Sequence, residues 1–252
     1  MIHFVGAGPG APDLITVRGQ RLLQEADQVI YAGSLVNPEL LKLTKEGCRI
    51  YNSAVMTLEE VFIQMQEGEE KGWMTVRLHT GDPSLYGAVR EQMDRLDELG
   101  ISYNSCPGVS SFSGAAAALN LEYTLPDVSQ SVVITRMEGR TPVPEKEKVR
   151  SFAGHQSTMV LFLSAGLLKE LEAELLAGGY VPETPAAIVY KATWPEEECH
   201  ICTVGTLADT AAAHQITKTA LIIVGDVVRC RHYSRSRLYD PTFTTEYRKG
   251  SQ

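Results

Sequence analysis

The chain has 252 residues with 31 acidic against 23 basic side chains, for a formal net charge of −8. That balance argues against a nucleic-acid partner, which would need a basic footprint to displace phosphate counterions. A chain with 44% hydrophobic and 21% charged residues buries a core and forms one large or two small domains, which excludes disordered and fibrous classes.

The first half alternates short β-branched runs with longer helical patterns. HFVGAG is a strand, followed by a helix from about Val17 to Glu25 and the strand QVIYA. Helices are predicted near Pro38 to Thr44 and Leu58 to Gln66, then the strand MTVRLHTG, a helix from about Leu85 to Leu99, the strand SYNSCPG and a small-residue helix from Ser111 to Leu119. A second series follows NLEYTLP: strands SVVITRM and STMVLFLS, a helix from about Leu167 to Ala177, strands PAAIVYKA and HICTVGTL, a helix around Leu207 to His214, and the strand TALIIVGDVV. This is the pattern of an α/β protein with two mixed, mostly parallel sheets of about five strands each. The expected domains are 1–120 and 121–228, with a basic extension over 229–252 that carries a net +4 and little periodicity.

No apolar run reaches the ~18 to 20 residues of a membrane span, and the N-terminus enters a strand without a basic leader and cleavage site. The expectation is a cytoplasmic protein with no membrane partner. Five cysteines, an odd number, fit a reducing compartment. Cys199 and Cys202 form a C-x-x-C, but no second ligand pair follows at zinc spacing, so they read as strand residues. No metal-ligand cluster is apparent in the sequence.

Three loops carry the functional signal. Gly6-Ala-Gly8-Pro-Gly10-Ala11 looks like a dinucleotide fingerprint, but Pro9 and Pro12 flank it and helical periodicity starts only after Thr16. The next strand also ends in Tyr31-Ala-Gly33-Ser34, without the acid that would hold a ribose,. The alternatives are a tight connection or a loop whose backbone closely approaches a ligand. Thr80-Gly81-Asp82-Pro83-Ser84-Leu85 places a carboxylate, a hydroxyl and free amides at the carboxyl end of a strand, where open α/β sheets bind ligands. Asp82 could equally cap the following helix. Pro107-Gly108-Val109-Ser110-Ser111 leads into a Gly/Ala helix that permits close backbone approach.

At these loops the sequence resembles the tetrapyrrole methylase family, the S-adenosylmethionine-dependent methyltransferases of sirohaem and cobalamin synthesis. VGAGPGAPDLITVRG, HTGDPSLYGA, CPGVSSFSGAAAALN and PAAIVYKATWPEEE with TALIIVG match in order from residue 5 to about 225. Within the family, ITRMEGRTPVPE, STMVLFLSAG and YKATWPEEE point to a corrinoid-pathway enzyme acting on a precorrin, a tetrapyrrole substrate. The resemblance implies two α/β domains with the cofactor in a cleft between them, and a homodimer. It implies that Pro9 shapes the trough and that Thr80, Gly81, Asp82 and Leu85 contact S-adenosylmethionine, which leaves as S-adenosylhomocysteine. Ser110, Ser111, Leu163, Ala192 and Ala220 match the remaining cofactor contacts. Many relatives have Asp where Gly33 stands, so any proton handling by that acid is absent here or falls to Ser34 or a neighbour.

A precorrin carries several carboxylates, so an acidic protein must present local cations to it. Arg136, Arg140 and Lys191 are the candidates. His79, just before the Gly81-Asp82 turn, is a candidate donor to substrate or a satisfied strand-end histidine. Rival readings are a nicotinamide dehydrogenase, an RNA or protein methylase of the same superfamily, a non-catalytic tetrapyrrole carrier, and a methylase of different regiochemistry.

Overall fold

The computed structural model describes Met1–Ser251, and the chain divides into two units. One comprises Met1–Gly114 with Ala192–Pro195, the other Ala115–Lys191 with Glu196 onward. The four-residue excursion 192–195 is invisible to a linear reading of domain boundaries, because nothing in its composition departs from its neighbours.

The first unit contains β1 (Ile2–Gly6), α1 (Val17–Glu25), β2 (Gln28–Tyr31), β3 (Arg49–Asn52), α2 (Leu58–Glu70), β4 (Thr75–His79), α3 (Arg90–Glu98), β5 (Tyr103–Cys106) and the start of α4 (Ser111–Ala118). Its sheet has the order β3-β2-β4-β1-β5 with every pairing parallel. Parallel strands require crossovers that cover both faces, so the strands read as near-continuous apolar runs. One face packs Val5, Val29, Val76 and Leu78 with Leu23 of α1. The other packs Ile2, Phe4 and Ile30 with Val61 and Met65 of α2 and Leu96 of α3.

Local signals fix the helix starts. Thr16 Oγ1 accepts from Gly19 N at 3.1 Å, and Thr57 with Glu60 forms a capping box that starts α2,. β3 is absent from the predicted elements because Arg49–Asn52 is a short, polar edge strand without the apolar run expected of a parallel core. The segment Pro38–Leu43 is a 3-10 turn, and α3 starts at Arg90 rather than Leu85. Tyr86 and Ala88 adopt positive φ of 55° and 49°, which no helix accommodates.

The second unit contains β6 (Val132–Arg136), α5 (Val149–Ala153), β7 (Thr158–Phe162), α6 (Leu168–Ala177), β8 (Pro185–Tyr190), β9 (Glu198–Thr203), α7 (Leu207–Ala213) and β10 (Ala220–Val224). The sheet order is β6-β7-β10-β8-β9. It is mixed as expected, but only the β6–β7 ladder is parallel; β10–β7, β10–β8 and β8–β9 are antiparallel. Only seven residues separate β8 from β9, too few for the crossover a parallel pair requires,. A core built on Met159, Leu161, Ile188 and Ile222 packs against Leu171 and Leu175 of α6 and Leu207 and Ala211 of α7.

Residues 229–251 form no element beyond a 3-10 turn at Arg237–Tyr239. Arg248 holds part of this extension by donating Nη2 to the carbonyls of Leu238, Asp240 and Phe243. Among the described residues no helix is long and apolar enough to cross a membrane.

Candidate functional site

In the first unit, β1, β4 and β5 are adjacent parallel strands, so the loops that leave their carboxyl ends meet at one sheet edge. The contact is backbone on backbone. Gly8 and Gly81 form a reciprocal bridge, Gly81 N donating to Gly8 O at 2.8 Å and Gly8 N to Gly81 O at 3.3 Å. A Cβ on Gly6 would lie 2.5 Å from Gly108 Cα, and one on Gly108 would lie 2.1 Å from Gly81 O. Gly6 and Gly108 therefore leave no room for a methyl group, and backbone from three loops touches directly,. Gly81 has φ +59°, the left-handed region that favours glycine in the turn before Asp82.

Asp82 locks this arrangement. Its Oδ2 accepts from Gly108 N at 2.8 Å, and its Oδ1 accepts from Ser84 N at 2.8 Å and from the Ser84 hydroxyl. Partial burial pushes its pKa up, but the Ser84 hydroxyl and the Gly108 and Ser84 amides outweigh this and hold it below the usual carboxylate range,. The helix-cap alternative is not realised, since α3 begins eight residues further on. Asp82 instead ties the β4 loop to the β5 loop.

The excursion 192–195 closes over the first loop. Ala11 N donates to Thr193 Oγ1 at 3.0 Å, and Trp194 Nε1 donates to Pro9 O at 3.1 Å. A Cβ on Gly10 would sit 2.2 Å from the Trp194 ring, and one on Gly114 would sit 3.0 Å from Pro9 Cβ. Pro9, Gly81, Ser110 and Ala192 are buried, while Thr80, Asp82, Leu85 and Ser111 are half-buried. Thr193 and Trp194 were missed by sequence reading. The signal lay in their positions directly after Ala192, but nothing local indicates that they return to the first loop.

His79 is buried, stacked on Phe4 with ring centroids 6.2 Å apart, and its Nε2 has no hydrogen-bond partner among the described residues. Burial, reinforced by the Arg77 guanidinium, lowers its pKa to about 3. It is therefore neutral near pH 7, not a proton reservoir. Arg77 itself is buried with no carboxylate partner among the described residues; its Nε donates to Gln92 Oε1 at 3.1 Å and its Nη1 to Ile30 O at 3.2 Å. At Gly33, a Cβ would meet Asn52 Oδ1 at 2.0 Å. The Asn52 amide, bonded to Ala54 N, thus occupies the space an acid at position 33 would need.

In the second unit, the antiparallel run of β10 brings its amino end beside the carboxyl end of β8, with Ala220 opposite Tyr190 and Thr219 O accepting from Lys191 N. Ile222 lies opposite Leu161, so the β7 exit at Leu163 falls at the same sheet edge, as does Arg136 opposite Phe162. Leu163 is 65% exposed with φ +52°. An exposed, apolar, γ-branched residue held in the left-handed region is uncommon and marks a site where local strain is retained. Lys191, Thr193 and Thr219 also have positive φ, of 45°, 68° and 58°, so this conformation recurs beside Ala192 and Ala220.

The three cations differ. Arg136 donates Nη2 to the carbonyls of Thr141 and Pro142 at 3.1 and 3.2 Å, which makes it an organiser of its own loop. Lys191 pairs with Glu196 at 3.2 Å. Arg140 is exposed, with no hydrogen bond or ion pair among the described residues. Cys199 and Cys202 point to opposite faces of β9, since residues three apart on a strand alternate,. The C-x-x-C therefore cannot chelate one ion.

A sheet-edge cradle of close-packed glycine loops, facing no ribose acid, defines a class. The model of the tetrapyrrole (corrin/porphyrin) methylases matches residues 1–208, and the chain belongs to that family. It is 52% identical over 248 residues to the cobalt-precorrin-4 C(11)-methyltransferase of Methanocaldococcus jannaschii, covering 98% of this chain and 96% of that protein. The X-ray structure of a cobalamin biosynthetic enzyme, cobalt precorrin-4 methyltransferase, superposes with a TM-score of 0.89 at 46% identity, covering 91% of this chain and 96% of the other. The uroporphyrin-III C-methyltransferase of Thermus thermophilus, solved with S-adenosylhomocysteine, gives a TM-score of 0.76 at 28% identity, covering 90% and 93%.

Proposed function

We propose that the chain transfers a methyl group from S-adenosylmethionine to carbon 11 of precorrin-4, in its cobalt-containing form, within cobalamin synthesis. The observation that carries the reading is the glycine cradle of the first unit, braced by Asp82, in a chain 52% identical to a protein named for this reaction.

The residues present fit the cofactor. Its adenosyl and methionyl parts need a surface that backbone can approach, and the Gly6, Gly81 and Gly108 contacts leave backbone, not side chains, at the sheet edge. Pro9, Thr80, Gly81, Leu85, Ser110 and Ser111 would hold it from the first unit together with Ala192, and Leu163 and Ala220 from the second. Asp82 acts through the loops it joins. When bound, S-adenosylmethionine supplies an electrophilic methyl on a sulfonium, so the acceptor carbon needs no strong base. What remains for the chain is alignment, and fixing two reactants in reactive orientation is worth up to roughly 7 to 11 kcal/mol.

Arg140 offers an unspent guanidinium to the substrate's carboxylates, while Arg136 shapes the loop that carries it and Lys191 contributes a second, partly neutralised cation. His79, as a neutral imidazole, has one N–H to donate and no charge to impose. The reading includes a cytoplasmic homodimer, which sedimentation of the purified chain tests.

Incubation with methyl-labelled cofactor and either cobalt-loaded or metal-free precorrin-4 tests the assignment. Label at carbon 11 by NMR, with the cobalt form preferred, is expected; label at another ring carbon overturns the regiochemistry, and no transfer to either form overturns the function. Arg140→Ala should raise KM for the tetrapyrrole and leave S-adenosylhomocysteine affinity unchanged.

A further inference from the structure

At the far edge of the second sheet, β9 places Glu198 and His200 on one strand face, two residues apart, where α7 ends. His214 caps the end of α7. The three side chains converge: their ligand atoms lie within 4.8 Å of one another. His200 Nε2 is 2.9 Å from Glu198 Oε2, and the imidazoles of His200 and His214 stack with centroids 3.7 Å apart and planes inclined by 27°.

Two imidazoles and a carboxylate are the donor set of a borderline divalent transition ion. We propose that Glu198, His200 and His214 bind one zinc-class divalent cation, which clips the edge strand β9 to the end of α7. Bound ligand atoms would sit about 3.3 Å apart, as tetrahedral Zn–N and Zn–O bonds of about 2.0 to 2.1 Å require. Glu198 and His200 already stand 2.9 Å apart, so the adjustment to that spacing falls on the exposed His214, while His200 is held with its side chain 15% exposed.

The remaining coordination position is left to water. Cys202, on the same strand face, is buried in the core of the second unit, away from the three side chains. The site is legible only in three dimensions. The thirteen residues between the two histidines match no ligand spacing, and the nearby C-x-x-C draws attention to the wrong side chains.

The test uses the full chain, stripped with chelator and titrated with zinc chloride by calorimetry, with thermal unfolding in parallel. One equivalent of tight binding and a raised Tm are expected. His214→Ala and His200→Ala should each weaken binding roughly tenfold or more, Glu198→Gln should weaken it measurably, and Cys199→Ser should leave it unchanged. Co(II) in place of zinc should give the visible absorption of a four-coordinate site, lost in His214→Ala. Since His214 is exposed and at a helix end, its variant keeps the test independent of folding. Retention of full zinc affinity by His214→Ala, loss of binding in Cys199→Ser, or equal affinity for magnesium would overturn the proposal.

Discussion

The two sheets solve the same problem in opposite ways. In the first, all pairings are parallel, so every loop at the functional edge leaves a strand's carboxyl end, and the loops become intimate by having no side chains: Gly6, Gly81 and Gly108 touch directly. In the second, antiparallel β10 presents its amino end at the edge where β7 and β8 exit, and ordinary residues such as Leu163, Lys191 and Thr219 are forced into left-handed backbone. One edge is built by removing atoms, the other by tolerating strain. The first is rigid through contact and a carboxylate brace. The second stores conformational energy that a bound ligand can offset.

The largest expected effect breaks the first edge. Gly108→Val puts a branched side chain where a single Cβ already lies 2.1 Å from Gly81 O. The backbone of three loops must shift, a cost of about 3 kcal/mol or more. Denaturant unfolding should show that loss, or no folded first unit at all. A variant within about 1 kcal/mol of the parent would mean the loops are not locked together.

Asp82→Ala is next. It removes the acceptor for Gly108 N, Ser84 N and the Ser84 hydroxyl at once. Unsatisfied, partly buried donors cost about 1 to 3 kcal/mol. S-adenosylhomocysteine affinity should fall roughly tenfold or more, because the loops that would hold it are released. Asp82→Asn, which keeps one acceptor oxygen and puts a donor NH2 in place of the other, should recover only part of both. Unchanged affinity in Asp82→Ala by calorimetry would remove the brace from the binding account.

The contrast between the edges also explains what could be read in advance. Parallel sheets advertise themselves: apolar runs, helical crossovers and glycine turns at strand ends gave β1, β2, β4, β5 and the three loops from residue types alone. The order of the second sheet was hidden, because strand direction depends on whether a connection is long enough for a crossover, and the seven residues after Tyr190 contain no helical signal. Ala220, at the start of β10, lies beside the end of β8 only because β10 runs antiparallel to it. The bracing role of Asp82 was equally hidden: its partners are an amide 26 residues away and its own turn, and no local pattern encodes the first of these. Thr193 and Trp194 return to the first loop from more than 180 residues away, a pairing no local pattern encodes.

His79 tests how dry the parallel core is at its edge. With a pKa of about 3 in the fold against 6.5 in the unfolded chain, it binds its proton first when unfolded. It therefore imposes no penalty above about pH 6.5, and the fold loses up to about 1.4 kcal/mol for each unit of acidification from there toward pH 3. His79→Leu fills similar space with no orphaned nitrogen, so it should match the parent near pH 7 and lose less stability between pH 6 and 4. Parallel stability curves across that range would show that the imidazole is hydrated and the edge open to water.

The smallest expected effect belongs to the strained edge and has the opposite sign. Leu163 is exposed, so truncation forfeits little burial, and glycine accepts φ +52° without the penalty of about 1 to 2 kcal/mol that a side chain incurs there,. Against the extra entropy of an unfolded glycine, Leu163→Gly should still stabilise the fold by up to about 1 kcal/mol, seen as a small rise in Tm. If the residue is held in that conformation to meet the cofactor, the same variant should bind S-adenosylhomocysteine more weakly. Gain of stability with loss of affinity is the signature of strain kept for function. Gain of stability with affinity intact would leave the second edge strained for some other reason and restrict the cofactor's contacts to the glycine-built one.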